Sequence, residues 1–192
     1  MKYISTRGQT APMDFSDVLL MGLAPDGGLM LPEHYPNRDS TTLDEWRTLS
    51  YPQLAMAIMQ RFATDIPAAD LQDIIERTYT AEIFGSDEIV PVRKLEDNLY
   101  ILGLSNGPTL AFKDVAMQFL GNAFEYVLKR KDARITIIGA TSGDTGSAAE
   151  YALRGKENIE VFMLSPHGKM SEFQSAQMYS LTDKNIHNIA SE

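Results

Sequence analysis

The sequence predicts an α/β protein, a doubly wound parallel sheet preceded by a small, mainly helical module. Three observations predict it. From residue 98 onward, short apolar runs alternate with stretches of helical period in the order β-α-β-α-β-α-β. The runs "ARITIIGA" (133–140) and "IEVFMLS" (159–165) are apolar without alternation, as in parallel strands covered on both faces. Before residue 85 the apolar positions instead recur at helical spacing. The expected division is 1–85 for the helical module and 86–192 for the α/β domain.

The elements follow in chain order. Residues 1–35 are rich in turns, and "LAPDGGLMLPE" reads as a turn in which Gly supplies positive φ. Phe15 to Leu23 can form a short helix capped near Asp14 or Ser16. Residues 36–43 are polar and linker-like. Ser50 caps a helix carrying Leu54, Ile58 and Phe62, and Pro67 opens another carrying Leu71, Ile74, Ile75 and Tyr79. "NLYILGL" (98–104) reads as the first strand of the sheet. A long helix over 112–130 follows, with Phe112, Ala116, Phe119, Leu120, Ala123 and Val127 as its buried face. Strand 133–140, a helix over 145–155, strand 159–165, a helix from Ser171 to Leu181 and strand 185–190 complete the pattern. Right-handed crossovers give such a chain a doubly wound sheet.

Composition excludes several functions. The 192 residues are 44% hydrophobic and 22% charged, the range of a folded protein able to bury a core. No apolar run is long enough to span a membrane, and residues 1–7 lack a signal-peptide core; a cytoplasmic location is expected. The absence of Cys removes disulfides, thiolate metal sites and Cys nucleophiles. A net charge of −9 disfavours nucleic-acid binding, which needs excess Lys and Arg. His34, His167 and His187 are scattered without metal-ligand spacing, so no metal site is expected. The ten methionines read as core filling.

Two motifs carry chemistry. In "GPTLAFKDVAMQFLG" (107–121), Lys113 sits at a helix start, where the peptide dipoles disfavour an ammonium. Leu110, Ala111, Phe112 and Val115 surround it in sequence, and desolvation would act in the same direction. An amine with a lowered pKa is what Schiff-base chemistry needs, whereas the ordinary reading is a solvated lysine. "GATSGDTGSAA" (139–149) follows a strand and opens a helix, with Gly139, Gly143 and Gly146 letting backbone amides approach a ligand. It is neither a P-loop nor G-x-G-x-x-G. A tight βα turn explains the glycines equally well. Asp144 would repel a phosphate, so a site here suits a small carboxylate, or a ring needing a polar partner. A third stretch, "SPHGKMSEFQSAQM" (165–178), follows a strand end; Ser171 reads as a plain helix cap.

Together "GPTLAFKDVAMQFLGN" and "GATSGDTGSAA" closely resemble threonine synthase, of the tryptophan-synthase-β type of pyridoxal-phosphate proteins (fold type II). "YISTRG", "GLAPDGGLMLPE" and "LSPHGKMSEFQSAQM" extend the likeness over nearly the whole chain. The resemblance implies that Lys113 holds pyridoxal 5'-phosphate as a Schiff base and shuttles protons when released. It implies conversion of O-phospho-L-homoserine and water to L-threonine and phosphate, the last step of threonine biosynthesis. It also implies that Thr141, Ser142, Gly143 and Thr145 hold the substrate carboxylate and that Asp144 flanks the cofactor's 3'-oxygen, although many fold relatives have Asn at that position.

Members of the family are much longer. Their second Gly-rich loop, which cradles the cofactor phosphate, has no counterpart here, nor does the residue facing the pyridine nitrogen. The expectation is therefore the N-terminal portion of such an enzyme, inactive alone, with a C-terminal domain missing and self-association of the half-site possible. The alternatives are a folded, non-catalytic scaffold, a sibling lyase such as threonine dehydratase, and a nucleotide-binding module. Arg7, Arg154 and Lys169 stand as candidates for the substrate phosphate.

Overall fold

A computed structural model of the chain describes residues 1–37 and 40–192. It divides into two compact units, Met1–Arg77 and Thr78–Glu192. Among the described residues no helix is long and apolar enough to cross a membrane.

In the first unit, β1 (Tyr3–Ser5) pairs antiparallel with β2 (Met30–Pro32). Between them lies α1 (Phe15–Met21), with Asp14 in the N-cap position. The "PDGG" turn is knotted by Asp26, which accepts from Ser5 Oγ at 2.7 Å and from the amides of Gly28 and Gln9 at 2.9 Å each. Burial disfavours the Asp26 carboxylate, but these donors outweigh it and hold the pKa down at about 2.

Three further helices are α2 (Ser40–Trp46), α3 (Tyr51–Met59) and α4 (Ala68–Thr78). The linker expected over 36–43 is corrected from Ser40 onward, where α2 begins; Arg38 and Asp39 lie outside the described residues. Ser50 precedes α3 as expected, its amide donating to Gln53 Oε1 at 2.9 Å. Leu71, Ile74 and Ile75 form the buried stripe of α4.

The second unit opens with α5 (Ala81–Phe84), capped by the Thr80 side chain, which accepts from the Ile83 amide. The strand expected over 98–104 is corrected. It is β4 (Leu99–Leu102), paired antiparallel with β3 (Val92–Glu96) in a separate hairpin, and every residue of both strands is exposed. The cause is local. Asn98 adopts φ 63°, and Lys94 Nζ bonds Asp97 at 2.6 Å, so the chain reverses tightly onto itself.

Three strands build the parallel sheet, β5 (Ile135–Ala140), β6 (Ile159–Pro166) and β7 (Ile186–Ser191), in that order. The long helix α6 (Asp114–Lys131) precedes them; α7 (Asp144–Leu153) and α8 (Glu172–Tyr179) are the crossovers. Helix α6 packs on α7, and Gly121 makes this possible, because a Cβ there would strike the Ala152 carbonyl. Strands in sequence order joined by right-handed crossovers carry their helices on one face. Burial agrees, and the expectation that both faces of β5 are covered is corrected: Thr136, Ile138 and Ala140 are exposed, Ile138 by 74%. The face expected for α6 also shifts. Ala123 and Val127 are buried, but Phe112 is 63% exposed, and Asp114, Gln118, Gly121 and Leu128 complete the buried stripe.

Candidate active site

The C-terminal ends of parallel strands leave backbone groups and loops free for chemistry. At the end of β5 the chain runs through Thr141–Gly143 into α7. The loop is built on the Thr141 hydroxyl, which accepts from the amides of Gly143 at 3.1 Å and Gly146 at 3.0 Å. The Ser147 hydroxyl donates to the Gly143 carbonyl at 3.0 Å. Gly143 has φ 146° and is buried. Among the described residues, the amides of Ser142, Asp144 and Thr145 have no hydrogen-bond acceptor. These are donors at a helix start, the ordinary requirement for an anion site.

Lys113 enters the same place from the other side. Helix α6 begins at Asp114, one residue after Lys113, so Lys113 occupies the N-cap position rather than the first turn. Its carbonyl accepts from the Ala116 and Met117 amides at 3.1 and 2.8 Å. Asp114 supplies the acid that a helix start favours. Buried completely, it accepts from the Thr109 amide at 2.9 Å and the Thr109 hydroxyl at 2.8 Å. Lys113 Nζ lies 4.8 Å from the centroid of the Phe112 ring. Among the described residues it has no hydrogen bond or ion pair.

One cleft is lined by Lys113, Ser142, Asp144, Thr145 and Gln174, with Ala140 and Thr141. It thus brings together Lys113, Thr141, Ser142, Asp144 and Thr145, five of the residues singled out in the sequence. Gly143 is buried within the loop and does not line the cleft. The Thr141 hydroxyl serves the loop itself, whereas Ser142, Asp144 and Thr145 are exposed. Arg154, a candidate for a substrate phosphate, stands at the opposite end of α7 and pairs with Asp183 at 2.9 Å. Lys169 is exposed in the loop after β6. Arg7 belongs to the first unit, where it donates to the Asp26 carbonyl at 2.9 Å. His187 bonds Glu160 at 2.9 Å and stacks on Phe162, on the β6–β7 pair.

Two participants escaped the sequence reading. Gln174 lines the cleft, donating from Nε2 to Asp144 Oδ1 at 2.7 Å. Its signal was the spacing S-x-x-Q from Ser171, which marks a capping box. The other is Asp114, whose signal was an acid at a helix start directly beside the lysine.

Known proteins resemble the chain throughout. Residues 2–79 match the family model for the threonine synthase N terminus. Threonine synthase from Methylobacillus glycogenes is 59% identical over 197 residues, covering 99% of this chain and 42% of that protein. The enzyme from Corynebacterium glutamicum is 55% identical over 195 residues, covering 99% and 40%. A crystal structure of PLP-bound threonine synthase from Brucella melitensis superposes with a TM-score of 0.94 at 44% identity, over 99% of this chain and 41% of that one. The yeast threonine synthase structure gives 0.92, also at 44% identity. The chain spans about two fifths of the length of these relatives. Both the sequence and the coordinates agree along its whole length: the chain belongs to the threonine synthase family.

Proposed function

We propose that this chain is the lysine-bearing portion of a pyridoxal-phosphate-dependent threonine synthase, a lyase that takes O-phospho-L-homoserine and water to L-threonine and phosphate. The observation that carries the reading is the meeting, in one cleft, of the Lys113 amine with the unpaired donors of the loop after β5. Identity of 59% to a threonine synthase, and a PLP-bound structural neighbour, support it over threonine dehydratase.

The residues present fit the cofactor. Lys113 is half-buried, its amine is held by no carboxylate among the described residues, and a polar wall faces it. When bound, pyridoxal phosphate supplies the electron sink for carbanions next to the substrate nitrogen. Lys113 Nζ would hold it covalently and, when free, carry protons at the substrate's Cα and Cβ. The amides of Ser142, Asp144 and Thr145, with the Ser142 and Thr145 hydroxyls, would take the substrate carboxylate. Thr141 and Gly143 would act through the loop, keeping those amides turned outward. Asp144 would flank the cofactor's 3'-oxygen. A further region, matching the remaining three fifths of the relatives, would complete the fold-type-II sheet and bind the cofactor phosphate. The open face of β5, which a further packed layer would cover, supports such a region, and with it the reading that these 192 residues alone turn over little substrate.

The test is to mix the chain with pyridoxal phosphate, reduce with borohydride and map the modified lysine by mass spectrometry. Labelling concentrated at Lys113 is expected. Labelling spread evenly over the lysines would overturn the reading.

A further inference from the structure

We propose that α8 is the strut of the Lys113 cleft, and that Gln174 and Gln177 are positioning residues that fix its two walls. The inference deepens the proposed function and rests on it for the roles of Lys113 and Asp144. Gln174 and Gln177 stand three positions apart and so share one face of α8. Gln174 reaches the cleft wall itself, and Gln177 the backbone behind the Lys113 wall. Gln174 Nε2 donates to Asp144 Oδ1 at 2.7 Å, at the start of α7. Gln177 Nε2 donates to the Thr109 carbonyl at 2.9 Å. Thr109 is in turn bonded twice to Asp114, the residue after Lys113. One short helix therefore links the carboxylate loop to the backbone that carries the amine.

The direction of the Gln174 amide is fixed by its neighbours. Its Oε1 accepts from Ser171 Oγ at 3.0 Å and from the Ser171 amide at 3.4 Å, which leaves Nε2 to face Asp144. A carboxylate can only accept, so donor and acceptor match without ambiguity. Space is fixed as well. The Gln174 amide fills the position that a side chain on Gly143 would occupy. The helix is itself anchored: Met178 is fully buried, and its carbonyl accepts from Asn188 Nδ2 at 2.9 Å on β7. With Oδ1 held by the amide, Asp144 is kept as an oriented acceptor rather than left to rotate in solvent.

The test reverses the polarity of one strut. Gln174→Glu removes the donor and sets two carboxylates face to face. Asp144→Asn combined with it restores a hydrogen bond with donor and acceptor exchanged. Hydrogen exchange at the Gly143 and Gly146 amides, which the Thr141 hydroxyl holds, reads the loop without cofactor. Gln174→Glu should speed their exchange about tenfold, the weight of one charge-assisted hydrogen bond, and the double variant should return most of it. Gln174→Glu should also lose selective borohydride labelling of Lys113. Gln177→Leu should lower that selectivity while leaving Gly143 and Gly146 exchange unchanged. Unaltered exchange in Gln174→Glu, or no recovery in the double variant, would overturn the strut. Unselective labelling in the wild-type chain, with exchange behaving as expected, would instead overturn the cofactor reading and leave the strut standing.

Discussion

Thr109 and Asp114 hold each other through two hydrogen bonds, amide to Oδ2 at 2.9 Å and hydroxyl to Oδ1 at 2.8 Å. The bracket closes around Lys113. It also secures Leu110, whose φ of 60° is unusual for a bulky residue and costs roughly 1–3 kcal/mol. Gly107 packs so close to the Asp114 side chain that a Cβ there would collide with it. The loop before the lysine is thus fixed by the residue after it.

Asp114→Ala should therefore destabilise the chain by roughly 2–3 kcal/mol, because it strips a charged acceptor from two buried donors. Urea denaturation followed by circular dichroism measures this. The same variant should label poorly at Lys113, since the amine loses its fixed approach. A variant of unchanged stability would show that the bracket contributes little.

Lys113→Ala separates chemistry from folding. The side chain is half-buried and makes no ion pair among the described residues. Stability should stay within about 0.5 kcal/mol of wild type. Borohydride-trapped cofactor should disappear from peptide 107–121, and no other lysine should replace it. Persistent stoichiometric labelling elsewhere would remove Lys113 from its proposed role.

Much of this site was legible in the sequence because its signals are local. A strand, then Gly139, Gly143 and Gly146 with a helix behind them, predicted the loop at the end of β5. A lysine at a helix start, among apolar neighbours, singled out Lys113, which lines the same cleft as that loop. What stayed hidden depends on residues distant in sequence. Gln174 is 30 residues from Asp144, and Gln177 is 68 from Thr109. No periodicity reports such pairings. The strand at 98–104 was misplaced for a related reason: its apolar run fits a sheet, but its partner is set by the turn at Asn98. The buried face of α6 shifted because a carboxylate and an amide, Asp114 and Gln118, are buried where pattern reading seeks apolar residues.

Asp26 makes the first unit sensitive to acid. Its folded pKa of about 2 lies below the ordinary carboxylate value of about 3.9. A depressed pKa gives stability that is complete above the unfolded value and is lost as pH falls through the folded one. The window is therefore about pH 4 down to about pH 2. Asp26→Asn should lower the melting temperature at pH 7 and flatten its fall across that window. Parallel acid curves for the two proteins would show that the "PDGG" turn does not govern acid unfolding.

Glu150 predicts the opposite slope. It lies on α7, fully buried, and desolvation raises its pKa to about 7, the Asn188 amide at 3.4 Å only partly opposing this. Among the described residues, two acceptors, Glu150 Oε1 and Asn188 Oδ1, are buried there without a partner. A proton on Glu150 relieves the desolvation. The folded state then holds a proton that the unfolded state releases, so stability is greatest below about pH 4.5, falls as pH rises towards 7, and levels off above it. At about 1.4 kcal/mol per pH unit, the whole fall is on the order of 3 kcal/mol. Glu150→Gln removes the charge, keeps the shape and adds an amide donor for Asn188 Oδ1. It should stabilise the chain at pH 8 by about 1–3 kcal/mol, with little change at pH 5. Thermal melts at the two pH values measure the difference. Equal gains at both would mean that Glu150 is ionised in the folded chain throughout, with a counter-charge supplied from elsewhere.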